Sequence, residues 1–132
     1  MSTWPLWGPS PLVVGRRDEA CFESDGLRTD SSYRNLGPGA ASDGRVGVSV
    51  NRATGPLEHE TGWHWHDLTL HLVYVIRGSL TFRFRGVEEP VALQAGDVIS
   101  QPPGVPHNVV ARSEDLEVLE ITMPAEYGTF EL

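Results

Sequence analysis

Beyond Arg45, apolar and polar residues alternate with a period of two. Val46, Val48 and Val50 interleave with Gly47, Ser49 and Asn51, and Leu80, Phe82 and Phe84 with Thr81, Arg83 and Arg85. Successive strand side chains point to opposite faces, so each set predicts a half-buried strand. Residues 63–66, 70–76, 91–93, 97–100, 107–112 and 116–122 predict the remaining strands. Strands roughly every 8–12 residues, with Gly or Pro between them, point to an all-β sandwich or barrel. No window carries a convincing apolar stripe at the helical period.

Segment 70–76 breaks the alternation. Val73 and Val75 share a face with His71, but Leu72, Tyr74 and Ile76 make the opposite face apolar as well. A strand apolar on both faces is covered on both. The cover comes either from the N-terminal segment or from a second copy, and a homodimer is the expectation. Residues 1–44 read as an irregular N-terminal extension, rich in Pro and Gly and closing in the loop 37–44. Residues 45–132 read as the barrel domain. Trp4 and Trp7 are unusual in a polar tail, which predicts that the extension packs on the barrel or on a partner subunit.

Composition narrows the function classes. A chain of 132 residues is one domain's worth, and 39% hydrophobic content is enough for a core. Eighteen acidic against ten basic residues give a formal charge of −8. That field repels phosphate backbones, so nucleic acid is not an expected partner. A small anionic ligand stays open, because a buried cation dominates its own pocket. Cys21 is the single cysteine, sits in a loop-like stretch and cannot form an intrachain disulfide. The start lacks a basic signal-peptide region, and the longest apolar run is too short to span a bilayer. A cytoplasmic protein without a membrane partner is expected.

The chemistry lies in four of the five histidines. His64 and His66 stand two residues apart on a predicted strand, hence on one face, at about 3.3 Å of rise per residue. Two imidazoles at that spacing can close on one metal ion. His71 follows on the next strand and His107 on a distant one. His59, between Glu58 and Glu60, reads as a surface residue, with either carboxylate available to orient an imidazole. Trp63 and Trp65 alternate with the ligands and point away. Phe82, Phe84, Val73, Val75, Val98 and Val109 are the expected apolar wall, and Arg83 and Arg85 are expected in solvent.

At these residues the chain resembles the cupin superfamily, as a small single-domain member. The family's first motif, G-x5-H-x-H-x3,4-E-x6-G, is met by His64, His66 and Gly78, with Gly62 closer than the pattern's opening glycine. The second, G-x5-P-x-G-x2-H-x3-N, is met by Gly96, Pro102, Gly104 and His107. The resemblance implies a jelly-roll (double-stranded β-helix) barrel with a metal in its mouth, held by His64, His66, His107 and His71, or by the first three alone if His71 fills its place without bonding. His71 occupies the family's glutamate position and Ala111 its asparagine position. With glutamate such a site would carry a formal charge of about +1, and with four neutral imidazoles about +2. The more positive site favours anionic, chelating oxygen ligands.

Imidazole ligands favour one divalent transition metal: Fe2+ first, with Mn2+, Ni2+, Zn2+ or Cu2+ as alternatives. No other general base is evident, so the metal itself is expected to carry the reaction, with no catalytic residues beyond its ligands. The expected function is a metalloenzyme acting on an oxygen-rich small molecule, dioxygenase-like first and isomerase- or decarboxylase-like second. The alternative is a non-catalytic cupin that binds a small ligand for sensing.

Overall fold

The computed structural model describes residues 11–19, 21–24 and 30–132. Trp4 and Trp7, on which the packing of the N-terminal extension turned, lie outside the described residues. Ten strands follow a 3-10 turn at Arg17–Glu19: β1 (Ser31–Asn35), β2 (Gly47–Ala53), β3 (His64–His66), β4 (Leu70–Arg77), β5 (Ser79–Phe84), β6 (Val91–Gln94), β7 (Val98–Gln101), β8 (His107–Arg112), β9 (Glu117–Met123) and β10 (Thr129–Glu131). One helical turn, α1 (Pro38–Ala41), joins β1 to β2. The strands form two antiparallel five-stranded sheets, β1-β2-β9-β4-β7 and β10-β3-β8-β5-β6. This is the all-β architecture that the alternation predicts and the jelly roll that the cupin resemblance implies.

Two edge strands have no counterpart in the sequence pattern. β1 reads Ser-Ser-Tyr-Arg-Asn and pairs with β2 along its whole length, within residues read as irregular. β10 pairs residue by residue with β3. Both are short, and neither has an apolar face to announce it.

Inward-facing residues of the two sheets make the core: Val73 and Val75 from β4, Leu80, Phe82 and Phe84 from β5, Leu93, Leu116 and Val118. Val73 and Val75 are almost wholly buried. Hairpin β4–β5 turns at Gly78, whose φ of 83° is left-handed and whose missing Cβ leaves room for the Ser113 hydroxyl. On the outer face of β4, Tyr74 and Ile76 are 41% and 42% exposed. Val98, expected in the pocket wall, is instead 55% exposed on neighbouring β7. The register sets Val98 opposite Tyr74, so it shares that outer face.

Candidate functional site

Strand register assembles the histidines. β3 exposes one side to the barrel interior, so His64 and His66 are both buried while Trp65 between them faces out and stacks on Phe130 at 4.4 Å. The single paired position between β3 and β8 sets His107 directly opposite His64, with ring centroids 4.3 Å apart. His66 lies 5.0 Å from each of the other two rings. One nitrogen from each of His64, His66 and His107 falls within 4.8 Å of the others.

The other ring nitrogen of each imidazole is tied down. His64 Nδ1 meets the Gly62 carbonyl at 2.8 Å, and His107 Nδ1 meets the Val105 carbonyl at 2.9 Å. A carbonyl only accepts, so both Nδ1 atoms carry the proton and both Nε2 atoms are left as the acceptors that a metal would use. His66 Nδ1 meets the Thr129 hydroxyl at 2.8 Å, a contact that exists because β10 places Thr129 opposite His66. Burial, then the neighbouring His107, His71 and His64, pushes His66 down to about 3. Burial lowers His107 to about 4 against the opposing effect of its Val105 bond, with His64 and His71 adding to the lowering. Both rings are neutral at pH 7 and need shed no proton to bind a cation. A buried set of neutral, pre-oriented imidazoles fits a divalent transition metal.

His71 comes from the opposite sheet and is held the other way round. Its ring lies 5.4 Å from His66 and 6.2 Å from His107. Its Nε2 lies 2.8 Å from Glu120 Oε1, while Glu120 Oε2 accepts from the Asn51 amide. Burial works to raise the Glu120 carboxyl, but its contact with His71, the nearby His66 and the Asn51 bond outweigh it, and the group is held below its usual value. The Tyr127 ring packs edge-on to His66 at 5.3 Å. Burial, then Glu120 and Tyr33, raises its hydroxyl, which stays protonated.

These groups line one cavity of about 180 Å3, which also takes in Val73, Phe82, Val109, Gln101 and Arg112. Glu120 corrects the expectation that no general base lines the pocket. It lies 49 residues from His71 in the chain, and only the pairing of β9 with β4 brings the two together. Its one sequence signal was an acidic residue on the inward parity of a strand, with Val118 and Thr122. Phe84 and Val75 belong to the core. Arg83 and Arg85 are in solvent, and His59 is exposed. Glu60 accepts from Asn108, whose own carbonyl takes the Gly62 amide. It therefore braces the approach to His64 and touches no imidazole.

A family model described as "Cupin domain" matches residues 53–122. Among solved structures, the polyketide cyclase RemF from Streptomyces resistomycificus superposes with a TM-score of 0.72 at 20% identity, covering 92% of this chain and 86% of its own. KdgF from Halomonas sp. gives a TM-score of 0.65 at 18% identity, covering 84% and 94%. Oxalate decarboxylase from Bacillus subtilis gives 0.65 at 20% identity, covering 87% of this chain but 30% of its own. The search of curated proteins found no match. The chain belongs to the cupin family.

Proposed function

We propose that this cupin is a metal-dependent enzyme that moves protons on a small, chelating, oxygen-rich substrate, as an isomerase or decarboxylase does. The observation that carries this reading is the Glu120 carboxyl, bonded to His71, in the same cavity as the converging imidazoles of His64, His66 and His107. A divalent transition metal held by His64, His66 and His107 would supply Lewis-acid polarisation of a substrate oxygen. Fe2+ is the proposed ion, with Mn2+, Ni2+, Zn2+ and Cu2+ behind it. The Glu120 carboxylate, which accepts from His71 Nε2–H on Oε1 and from the Asn51 amide on Oε2, takes up a substrate proton on a remaining lone pair. The Tyr127 hydroxyl donates to a substrate oxygen. In this arrangement His71 orients the base, and a fourth metal bond from His71 would run through Nδ1, since Nε2 is engaged.

Oxygen-dependent cleavage is the second reading, because three imidazoles leave coordination positions free. Similar folds named as a cyclase and as a decarboxylase support metal-assisted chemistry in general, without choosing a substrate. The decisive experiment uses metal-loaded protein with 2,4-pentanedione, an enolisable chelator, in D2O. Exchange of its central hydrogens faster than with free metal, and without oxygen uptake, is expected. Oxygen uptake would move the dioxygenase reading to first place. Tight binding with neither outcome would leave a non-catalytic ligand-binding module.

We also infer a homodimer through the outer face of β4 and β7, where Tyr74, Ile76 and Val98 are exposed beside a half-buried Leu72 among the described residues. Light scattering should give twice the chain mass, and Tyr74→Glu should halve it. Cys21, exposed and the single cysteine, suits a reducing, cytoplasmic compartment. Among the described residues, no helix is long and apolar enough to cross a membrane.

A further inference from the structure

The cavity holds polar atoms that the described residues leave without a hydrogen-bond partner. Arg112 ends β8 with its side chain only 6% exposed. Its Nη2 donates to Asp30 Oδ2 at 3.0 Å and to the Asp30 carbonyl at 3.2 Å. Its Nη1 is buried and has no partner among the described residues. Gln101, opposite His71 in the register of β4 and β7, has neither amide atom bonded. Both residues line the cavity that contains the imidazoles. Buried polar groups without partners are rare and carry a desolvation penalty, so each calls for an explanation.

How Arg112 reaches the interior is itself informative. From His107 and Val109, strict alternation would turn Ala111 inward and Arg112 out to solvent. The β5–β8 register slips between Thr81 and Phe82, which pair with Ala111 and Val109, leaving Val110 as an extra residue. This β-bulge reverses the parity, so Ala111 is exposed and Arg112 turns in. Bulges re-aim side chains in this way beside functional sites. A bridge needed for stability alone would not leave half of the guanidinium fork empty. Arg112 is also the one Lys or Arg among the described residues that line the cavity.

We propose that Arg112 is a substrate-binding residue that receives a carboxylate at the end of the cavity away from the metal. Arg112 and His107 are five positions apart on β8, on the order of 15 Å at about 3.3 Å per residue. The ligand class is then a small acid with a chelating oxygen pair at one end and a carboxylate at the other. Arg112 Nη1 donates to that carboxylate, and the Gln101 amide bonds to oxygens nearer the imidazoles. The inference rests on the metal-site reading above and deepens it.

The test compares catechol with three acids of increasing reach that share its chelating head: 3,4-dihydroxybenzoate, 3,4-dihydroxyphenylacetate and 3,4-dihydroxycinnamate. Binding to metal-loaded protein is measured by calorimetry. At least one acid should bind at least tenfold more tightly than catechol and than its own primary amide. The advantage should fall to within twofold in Arg112→Met/Asp30→Asn, which removes both charges of the buried pair together. Arg112→Lys should keep part of it. Wild-type protein that binds catechol and every acid or amide equally would overturn the inference, and that comparison needs no variant to fold. An acid advantage that survives in the double variant would overturn it as well. Failure to take up metal or catechol would instead overturn the metal-site reading on which it rests.

Discussion

The molecule uses the same side chain in two opposite ways on its two sheets. On β3 and β8, His64, His66 and His107 have Nδ1 fixed by Gly62, Thr129 and Val105, and one nitrogen of each ring converges with the others. On β4, His71 has Nε2 fixed by a carboxylate. A carbonyl partner leaves a neutral ring with an open lone pair, which is a ligand. A carboxylate partner takes the ring's Nε2–H as a donor, and the ring then orients that carboxylate as a base. The partner, and not the imidazole, sets the role.

Removing a member of the trio should have the largest effect. His64→Ala or His107→Ala should drop bound metal from about one equivalent to background by elemental analysis, with the β-sheet circular dichroism kept. Metal retained in both would dissolve the distinction between the two sheets. Glu120→Gln tests the other side. It should leave metal near one equivalent while slowing proton transfer by about 10²–10⁴-fold, measured as hydrogen exchange of the probe diketone. If Glu120→Gln instead empties the site, His71 and Glu120 belong with the ligands. Thr129→Val removes only the oxygen behind His66 and should weaken metal affinity by about 10–100-fold in a chelator competition.

The smallest effect concerns the metal-free protein. His66 and His107 sit at about 3 and about 4, below the usual imidazole value of 6.5. Between those limits the unfolded chain binds more protons than the folded one, so stability rises with pH across the window. The melting temperature of metal-free protein should therefore fall as pH drops from 7 toward 4, most steeply below 6.5. Saturating metal should add to the stability at pH 7 and deepen the fall, since protons compete for the same nitrogens. A melting temperature flat across that range would mean that the trio is not held neutral by burial.

Much of this arrangement was legible in the chain. The alternation in 46–51 and 80–85 reappears as β2 and β5, because a pleated strand with one buried face imposes period two on its sequence, and the segment predicted at 116–122 reappears as β9. His64 and His66 share a face for the same local reason, and the glycine and proline spacing around His107 marks the strand that answers them. Tyr74 and Ile76 were legible too, as the apolar outer face of a strand buried on its other side.

What the chain did not disclose depends on pairings between distant segments. Glu120 is one acidic residue among eighteen until β9 lies against β4 and sets it on His71. Thr129 matters only because a three-residue edge strand, too short to show a pattern, pairs with β3. Arg112 reads as an outward residue, and a bulge in the β5–β8 pairing turns it inward. Periodicity is a property of one strand and is written in its residues. Register and slippage belong to pairs of strands, and the free energy that sets them is gained only when both are in place. The sequence by itself therefore determined the barrel and its metal-binding face, while the tertiary structure decided which histidine meets a carboxylate and which arginine enters the cavity.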